Sequence, residues 1–182
     1  AGLGGGTSNA VHIIKYFFWK NLNSKNVNIF KKKIGSDLVL FLHKQSYQKN
    51  LNKVIKYKKF HTLYFLLLYP KIYCSTKEIY SKVRQYKVHK KINYPRILNK
   101  KIFINSLKKE ANDLQNIVEK KHPIIKKIIK NISNLKGCEI ARITGSGSVC
   151  FGVFKNKKLA KKALKEIKIK HPKYWSAVTK TI

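Results

Sequence analysis

Four glycines in five positions precede three good helix-capping residues in Ala1-Gly2-Leu3-Gly4-Gly5-Gly6-Thr7-Ser8-Asn9. Glycine admits positive φ and lets a ligand approach the backbone closely, and Thr, Ser and Asn are favoured where a helix begins. Behind them Ala10, Val11, Ile13, Ile14, Phe17 and Phe18 recur at three- and four-residue intervals, which predicts an amphipathic helix starting at Ser8. The free N–H groups of such a start, backed by the helix dipole, can hold a phosphate. No Lys follows the last glycine, so this is not a Walker A loop. The spacing also departs from the dinucleotide fingerprint, and no predicted strand precedes it. Taken alone, the run reads equally as a flexible linker.

Two further segments carry chemistry. Gly35-Ser36-Asp37-Leu38 sets one of only seven carboxylates in a tight turn, and Thr144-Gly145-Ser146-Gly147-Ser148 is a second glycine loop between apolar stretches. An Asp after Gly-Ser is ordinarily a turn or cap residue. In order and spacing, however, these three segments resemble the motifs of the GHMP small-molecule kinases. Tyr69-Pro70, Ser75-Thr76-Lys77-Glu78-Ile79-Tyr80 and Asn112-Asp113-Leu114 add to the likeness, which covers nearly the whole chain. It is nearest to the branch that phosphorylates a cytidine-diphosphate-linked methylerythritol in non-mevalonate isoprenoid biosynthesis.

The resemblance implies an α+β protein of the GHMP kinase fold. Residues 1–59 would be the end of the ribosomal-protein-like N-terminal, ATP-binding domain, and residues 60–182 a ferredoxin-like C-terminal domain. It implies ATP and Mg2+, with Ala1, Gly2, Leu3, Gly4, Gly5, Gly6, Thr7 and Ser8 around the ATP phosphates. Asp37 would be the catalytic base towards the 2-hydroxyl of the acceptor. Thr144, Gly145, Ser146, Gly147 and Ser148 would support the first loop or line the substrate cleft. The family's Pro-Ala-Lys-Leu-Asn segment, with a catalytic Lys and most of the cytidine pocket, has no counterpart here. The absence of Met and the opening inside a motif read as a fragment, inactive by itself. Asparagine stands where the family has glycine in Asn50-Leu51-Asn52-Lys53, and Val39 stands for a proline. Asn tolerates the left-handed conformation better than most side chains.

A formal net charge of +34 ordinarily marks a nucleic-acid binder. Yet Arg84, Arg96 and Arg142 are the only arginines, and lysine lacks the planar fork that reads guanine or clamps phosphate. The abundance of Lys, Asn and Ile together fits an AT-rich coding sequence. Non-specific, salt-labile attraction to polyanions is expected, without a specific nucleic-acid partner. A basic nucleic-acid module, with aromatics interleaved among lysines from Tyr47 to Tyr57, is the alternative from another class. A homoserine- or mevalonate-type kinase is the alternative within the superfamily.

Cys74, Cys138 and Cys150 show neither disulfide nor zinc spacing, and the six histidines never fall at metal-ligand intervals, so no protein-held metal site is expected. The longest apolar run, Leu63 to Tyr69, is too short to cross a membrane. A cytoplasmic protein is expected, or a stromal one if plastid-borne, with a small-molecule substrate and an oligomeric state left open.

The elements that must position these residues follow from punctuation. A second helix is predicted from Ser24 as N-cap to Gly35 as stop. His61 to Tyr69 reads as a buried strand closed by Pro70. Ser75 and Glu78 form a reciprocal capping box on a helix reaching Val83. The basic stretch Lys87 to Lys101 reads as a loop. Helices from Asn105 to Lys120 and from Pro123 to Leu135 follow, with Gly137 as stop. Then come strands at Glu139–Ile143 and Val149–Phe154, a helix from Asn156 to about Lys168, and a strand over Tyr174–Thr181.

Overall fold

The computed structural model describes residues 2–18, 20, 22–51, 53–84 and 96–181. These fall into two units, one holding residues 4–60 and 96–99, the other residues 2–3, 61–84 and 100–181.

The first unit contains α1 (Gly5–Phe18), α2 (Ser24–Ile34), the single turn α3 (Leu38–Phe41) and the hairpin β1 (Ser46–Asn50) and β2 (Lys53–Lys56). α1 begins at Gly5, three residues before the predicted start. Gly4 takes φ 63° and its carbonyl accepts the first helical bond from the Ser8 N–H at 2.9 Å. Nothing in helical geometry forbids glycine in a first turn; each costs about 1 kcal/mol against Ala, and burial of Val11 and Ile14 further along offsets it. α2 ends at Gly35 as expected, its N–H returning to the Lys31 carbonyl at 3.0 Å. Its cap is Asn23, whose side chain accepts from the Asn26 N–H, so Ser24 lies just inside the helix. The antiparallel hairpin, pairing Tyr47 with Ile55 and Ser46 with Lys56, had no counterpart in the sequence reading. Among the described residues the buried apolar side chains here are Val11, Ile14 and Leu38, with Leu22, Val27, Phe30, Phe41 and Leu42 packed around them.

The second unit has β3 (Tyr64–Tyr69), α4 (Thr76–Ser81), α5 (Lys100–Lys109), α6 (Gln115–Lys121), α7 (Pro123–Ser133), β4 (Cys138–Ile143), β5 (Cys150–Phe154), α8 (Lys157–Lys170) and β6 (Trp175–Lys180). Its strands form one antiparallel sheet in the order β4-β5-β3-β6, with β3 hydrogen-bonded on both edges. Helices join β3 to β4, a tight loop joins β4 to β5, and α8 joins β5 to β6, which is the ferredoxin-like arrangement expected.

One sheet face is covered by α7 and α8. In α7 Ile125, Ile128, Ile129 and Ile132 recur at i, i+3, i+4 and i+7 and all are buried, so one stripe meets Leu66, Leu68 and Phe154 of the sheet. α8 contributes Ala160, Ala163 and Ile167, and Asn156 caps it by accepting from the Leu159 N–H at 2.9 Å. α5 buries Phe103 and Ile104, with the Phe103 ring stacked on His61 at 4.7 Å between centroids.

Two expectations are corrected here. The helix predicted over Asn105–Lys120 is two helices, α5 and α6, because Asn112 forms an Asx turn: its Oδ1 accepts from the Leu114 N–H at 3.0 Å. Arg142 reinforces the break, donating to the Leu107 and Lys108 carbonyls at the end of α5. The capping box is half formed and α4 stops at Ser81. The Ser75 hydroxyl accepts from the Glu78 N–H at 3.3 Å, but the Glu78 carboxylate turns to Lys82 and Lys121. The predicted loop from Lys87 lies outside the described residues up to Pro95, and Lys100 and Lys101 belong to α5. No helix among the described residues is long and apolar enough to cross a membrane.

Candidate functional site

The glycine-rich segment divides between the two units and does two different things. Gly4, at the head of α1, is held to glycine by packing: a Cβ there would lie 2.7 Å from the Phe41 ring. At Gly5 and Gly6 a Cβ would meet nothing within 4 Å, so packing leaves the space beside the first turn of α1 open. The N–H groups of Gly5, Gly6 and Thr7 precede the first helical bond and have no acceptor within the helix. Their partial positive charge, an exposed approach over Gly4, Gly5 and Gly6, and the half-buried hydroxyls of Thr7 and Ser8 are the requirements of a phosphate cradle.

Asp37 is the only carboxylate in residues 4–60 and 96–99. It is exposed, makes no capping bond to its own helix, and has the Ser36 hydroxyl 3.4 Å from Oδ1. Its backbone is anchored on both sides. The Leu38 N–H donates to the Gly35 carbonyl, and the Leu38 side chain is fully buried with Val11 and Ile14 of α1. Three residues further on, Phe41 packs on Gly4, while Lys15 of α1 donates to the Phe41 carbonyl at 3.3 Å. The same short helix therefore carries Asp37 at one end and touches the glycine turn at the other.

In the second unit the Thr144–Ser148 loop is a fastening point. The Thr144 N–H donates to the Val149 carbonyl and the Gly147 N–H to the Thr144 carbonyl, which closes the turn. Ser148 is buried and its hydroxyl donates to the Ile72 carbonyl at 2.6 Å. The Ser146 hydroxyl pairs with Thr76 at the start of α4 at 2.9 Å. The Thr144 hydroxyl donates to the Gly2 carbonyl, and a Cβ on Gly2 would stand 2.9 Å from the Gly147 carbonyl oxygen. All three hydroxyls of the loop are thus engaged by protein, and Gly145 is its exposed residue. Leu3, also exposed, links Gly2 to Gly4, and Ala1 lies outside the described residues.

Sequence reasoning passed over what ties this loop down. Asn112 donates from Nδ2 to the Gly145 carbonyl at 2.8 Å and the Ile143 carbonyl at 3.2 Å. The Asn-Asp-Leu triplet was visible, but an Asx turn looks the same whether or not its amide reaches a distant carbonyl. A cavity of about 1130 Å³ also borders Asn112, lined by Arg84, Asn116, Lys120 and Arg142 among others, and holds none of the glycine-loop residues.

Burial pushes Cys150 up to about 12 and Cys138 up to about 11, and raises Cys74 as well. Among the described residues no group of three His, Cys, Asp or Glu side chains is placed to hold a metal ion.

A helix start with N–H groups lacking a helical acceptor, an anchored carboxylate and a ferredoxin-like unit with its own glycine loop are the features that the resemblance to GHMP kinases leads one to expect. The sequence profile described as GHMP kinases C terminal matches residues 96–173 of the chain. A 4-diphosphocytidyl-2-C-methyl-D-erythritol kinase of Pelagibacter ubique is 35% identical over 194 residues, spanning 100% of this chain and 65% of that protein. Proteins of the same name from Thermodesulfovibrio yellowstonii and Anaplasma marginale are 32% and 26% identical, over 66% and 62% of their lengths. The chain thus spans a little under two thirds of these relatives. In fold it is similar to a crystal structure of 4-(cytidine 5'-diphospho)-2C-methyl-D-erythritol kinase, with a TM-score of 0.74 at 19% identity, over 98% of this chain and 66% of that one. A homoserine kinase from Cytophaga hutchinsonii follows at 0.68 and 14%, over 96% and 62%.

Proposed function

We propose that this chain is the phosphate-binding and base-bearing part of an ATP-dependent kinase that phosphorylates the 2-hydroxyl of 4-diphosphocytidyl-2-C-methyl-D-erythritol. The observation that carries the reading is the start of α1. Three N–H groups, of Gly5, Gly6 and Thr7, precede the first helical bond, beside two glycines whose Cβ positions are open, in a chain matched end to end by kinases of that name. Phosphoryl transfer asks a protein mainly for positioning and charge stabilisation. The N–H groups and the α1 dipole hold the phosphates of ATP. Mg2+ bound with the nucleotide would neutralise phosphate charge, and the Thr7 and Ser8 hydroxyls would be candidate partners for it. Asp37 takes the proton of the acceptor hydroxyl as its oxygen bonds to the γ-phosphorus and the bond to ADP breaks. Thr144–Ser148, held by Asn112, Thr76 and Ile72, braces Gly2.

Amide NMR during an ATP titration tests the cradle. The expected result is saturable shifts at Gly5, Gly6 and Thr7 that persist at physiological salt. Shifts spread over lysines throughout the chain and abolished by salt would indicate polyanion attraction alone.

A further inference from the structure

The cavity of about 1130 Å³ beside Asn112 lies within the second unit and draws its wall from segments separate in sequence. The end of α4 gives Lys82 and Arg84, α6 gives Asn116, Lys120 and Lys121, and β4 gives Arg142. Five cationic side chains therefore share the wall with two carboxylates, Glu110 and Asp113. A concave space of this size, with a few convergent polar groups, is the usual form of a small-ligand site.

Most of the cations are engaged within the protein. Lys82 and Lys121 both pair with Glu78, and Arg142 donates to the Leu107 and Lys108 carbonyls. Arg84, Asn116 and Lys120 have no such partner among the described residues, and all three are exposed. Asn116 and Lys120 stand four residues apart on α6, and so on one helix face. Arg84 is the informative member. Only three of the chain's 41 Lys and Arg residues are arginines, and two of the three line this cavity. The α5 carbonyls account for Arg142. Nothing within the described protein accounts for Arg84, whose planar fork can hold two oxygens of one phosphoryl group where lysine offers a point charge.

We propose that Arg84, Asn116 and Lys120 form a binding site for a small phosphorylated anion, a phosphomonoester or a diphosphate. The guanidinium takes two phosphoryl oxygens, and the Asn116 amide and Lys120 ammonium donate to the others. An extended polyanion has a different place to bind, the row Lys157, Lys158, Lys161, Lys162 and Lys165 on the exposed side of α8, which holds no arginine. The site shares no residue with the glycine turn or Asp37, so the inference does not rest on the phosphoryl-transfer reading.

The test is 15N NMR of the 182-residue chain, amides and Arg side chains together, during titration with inorganic pyrophosphate at physiological salt. Saturable shifts are expected at the Arg84 Nε–H, the Asn116 side-chain amide and the Lys120 backbone N–H. Arg84→Lys keeps the charge and removes the fork, and Lys120→Gln removes a charge. Each should weaken binding at these groups by about tenfold, the worth of a charge-assisted hydrogen bond. The pair Lys161→Gln and Lys162→Gln on α8 should leave it unchanged. The altered side chains are all exposed, and the amide spectrum of each variant verifies its fold. Unaltered affinity in both Arg84→Lys and Lys120→Gln would overturn the proposal. So would shifts confined to Gly5, Gly6 and Thr7, or shifts that follow the α8 lysines and vanish at physiological salt.

Discussion

The sheet unit and the glycine-turn unit are built from the same residue types yet differ in what holds them. β3 is paired on both edges, and Leu66, Leu68 and Phe154 meet a full stripe of isoleucines from α7. α1 buries Val11 and Ile14 and leaves Ile13, Tyr16, Phe17 and Phe18 exposed. The first region supplies its own burial. The second carries the residues proposed for chemistry on a smaller buried cluster.

Four substitutions or conditions sharpen that contrast. Ile128→Ala removes a fully buried side chain under the sheet and should destabilise the second unit by roughly 2–5 kcal/mol in urea unfolding. Ile14→Ala in the first unit should fall at or below the bottom of that range, and an equal loss would show that the two cores are alike. Asn112→Ala deletes two bonds to the Gly145 and Ile143 carbonyls and the Asx turn; about 1–3 kcal/mol should go, with faster amide exchange at Gly147. Exchange there at the unaltered rate would remove Asn112 as the loop's clamp. Ser75→Ala should cost about 1 kcal/mol, the worth of an ordinary N-cap.

The smallest effect is electrostatic. Hydrogen bonds from Lys121 and then Lys82 hold Glu78 down at about 2, below its ordinary 4.5. A depressed carboxylate stabilises above its unfolded pKa, so this contribution is full above about 4.5 and fades as pH falls towards 2. Glu78 is solvent-exposed and the effect is screened by salt. At low salt the unfolding midpoint of the wild type should drop more steeply across that window than that of Glu78→Gln; parallel curves would dissociate the pair from stability.

Legibility in the sequence followed the range of the forces involved. The end of α2 at Gly35, the close of β3 before Pro70 and the start of α8 at about Asn156 were readable because each is settled within a turn or two of chain. The break between α5 and α6 was not, because what secures it lies some thirty residues away, at Ile143, Gly145 and Arg142. α1 starts at Gly5 because Gly4 packs against Phe41, a contact no local propensity contains. The hairpin was missed since the chain between Asn50 and Lys53 lacks the usual Asn-Gly signal. For the site, residue types and order were visible. That the Thr144–Ser148 hydroxyls face protein groups could emerge only from the fold.

The central claim is that the first unit carries the chemistry through Asp37, and 31P NMR of phosphoryl transfer tests it most directly. The chain is joined to the unmatched third of a relative and given ATP, Mg2+ and 4-diphosphocytidyl-2-C-methyl-D-erythritol, with homoserine and mevalonate as rival acceptors. A new phosphomonoester should form on the cytidine-linked acceptor, and Asp37→Asn should slow kcat on the order of 10² to 10⁴ with ATP affinity little changed. Near-wild-type turnover by Asp37→Asn, or transfer to a rival acceptor in preference, would contradict the account.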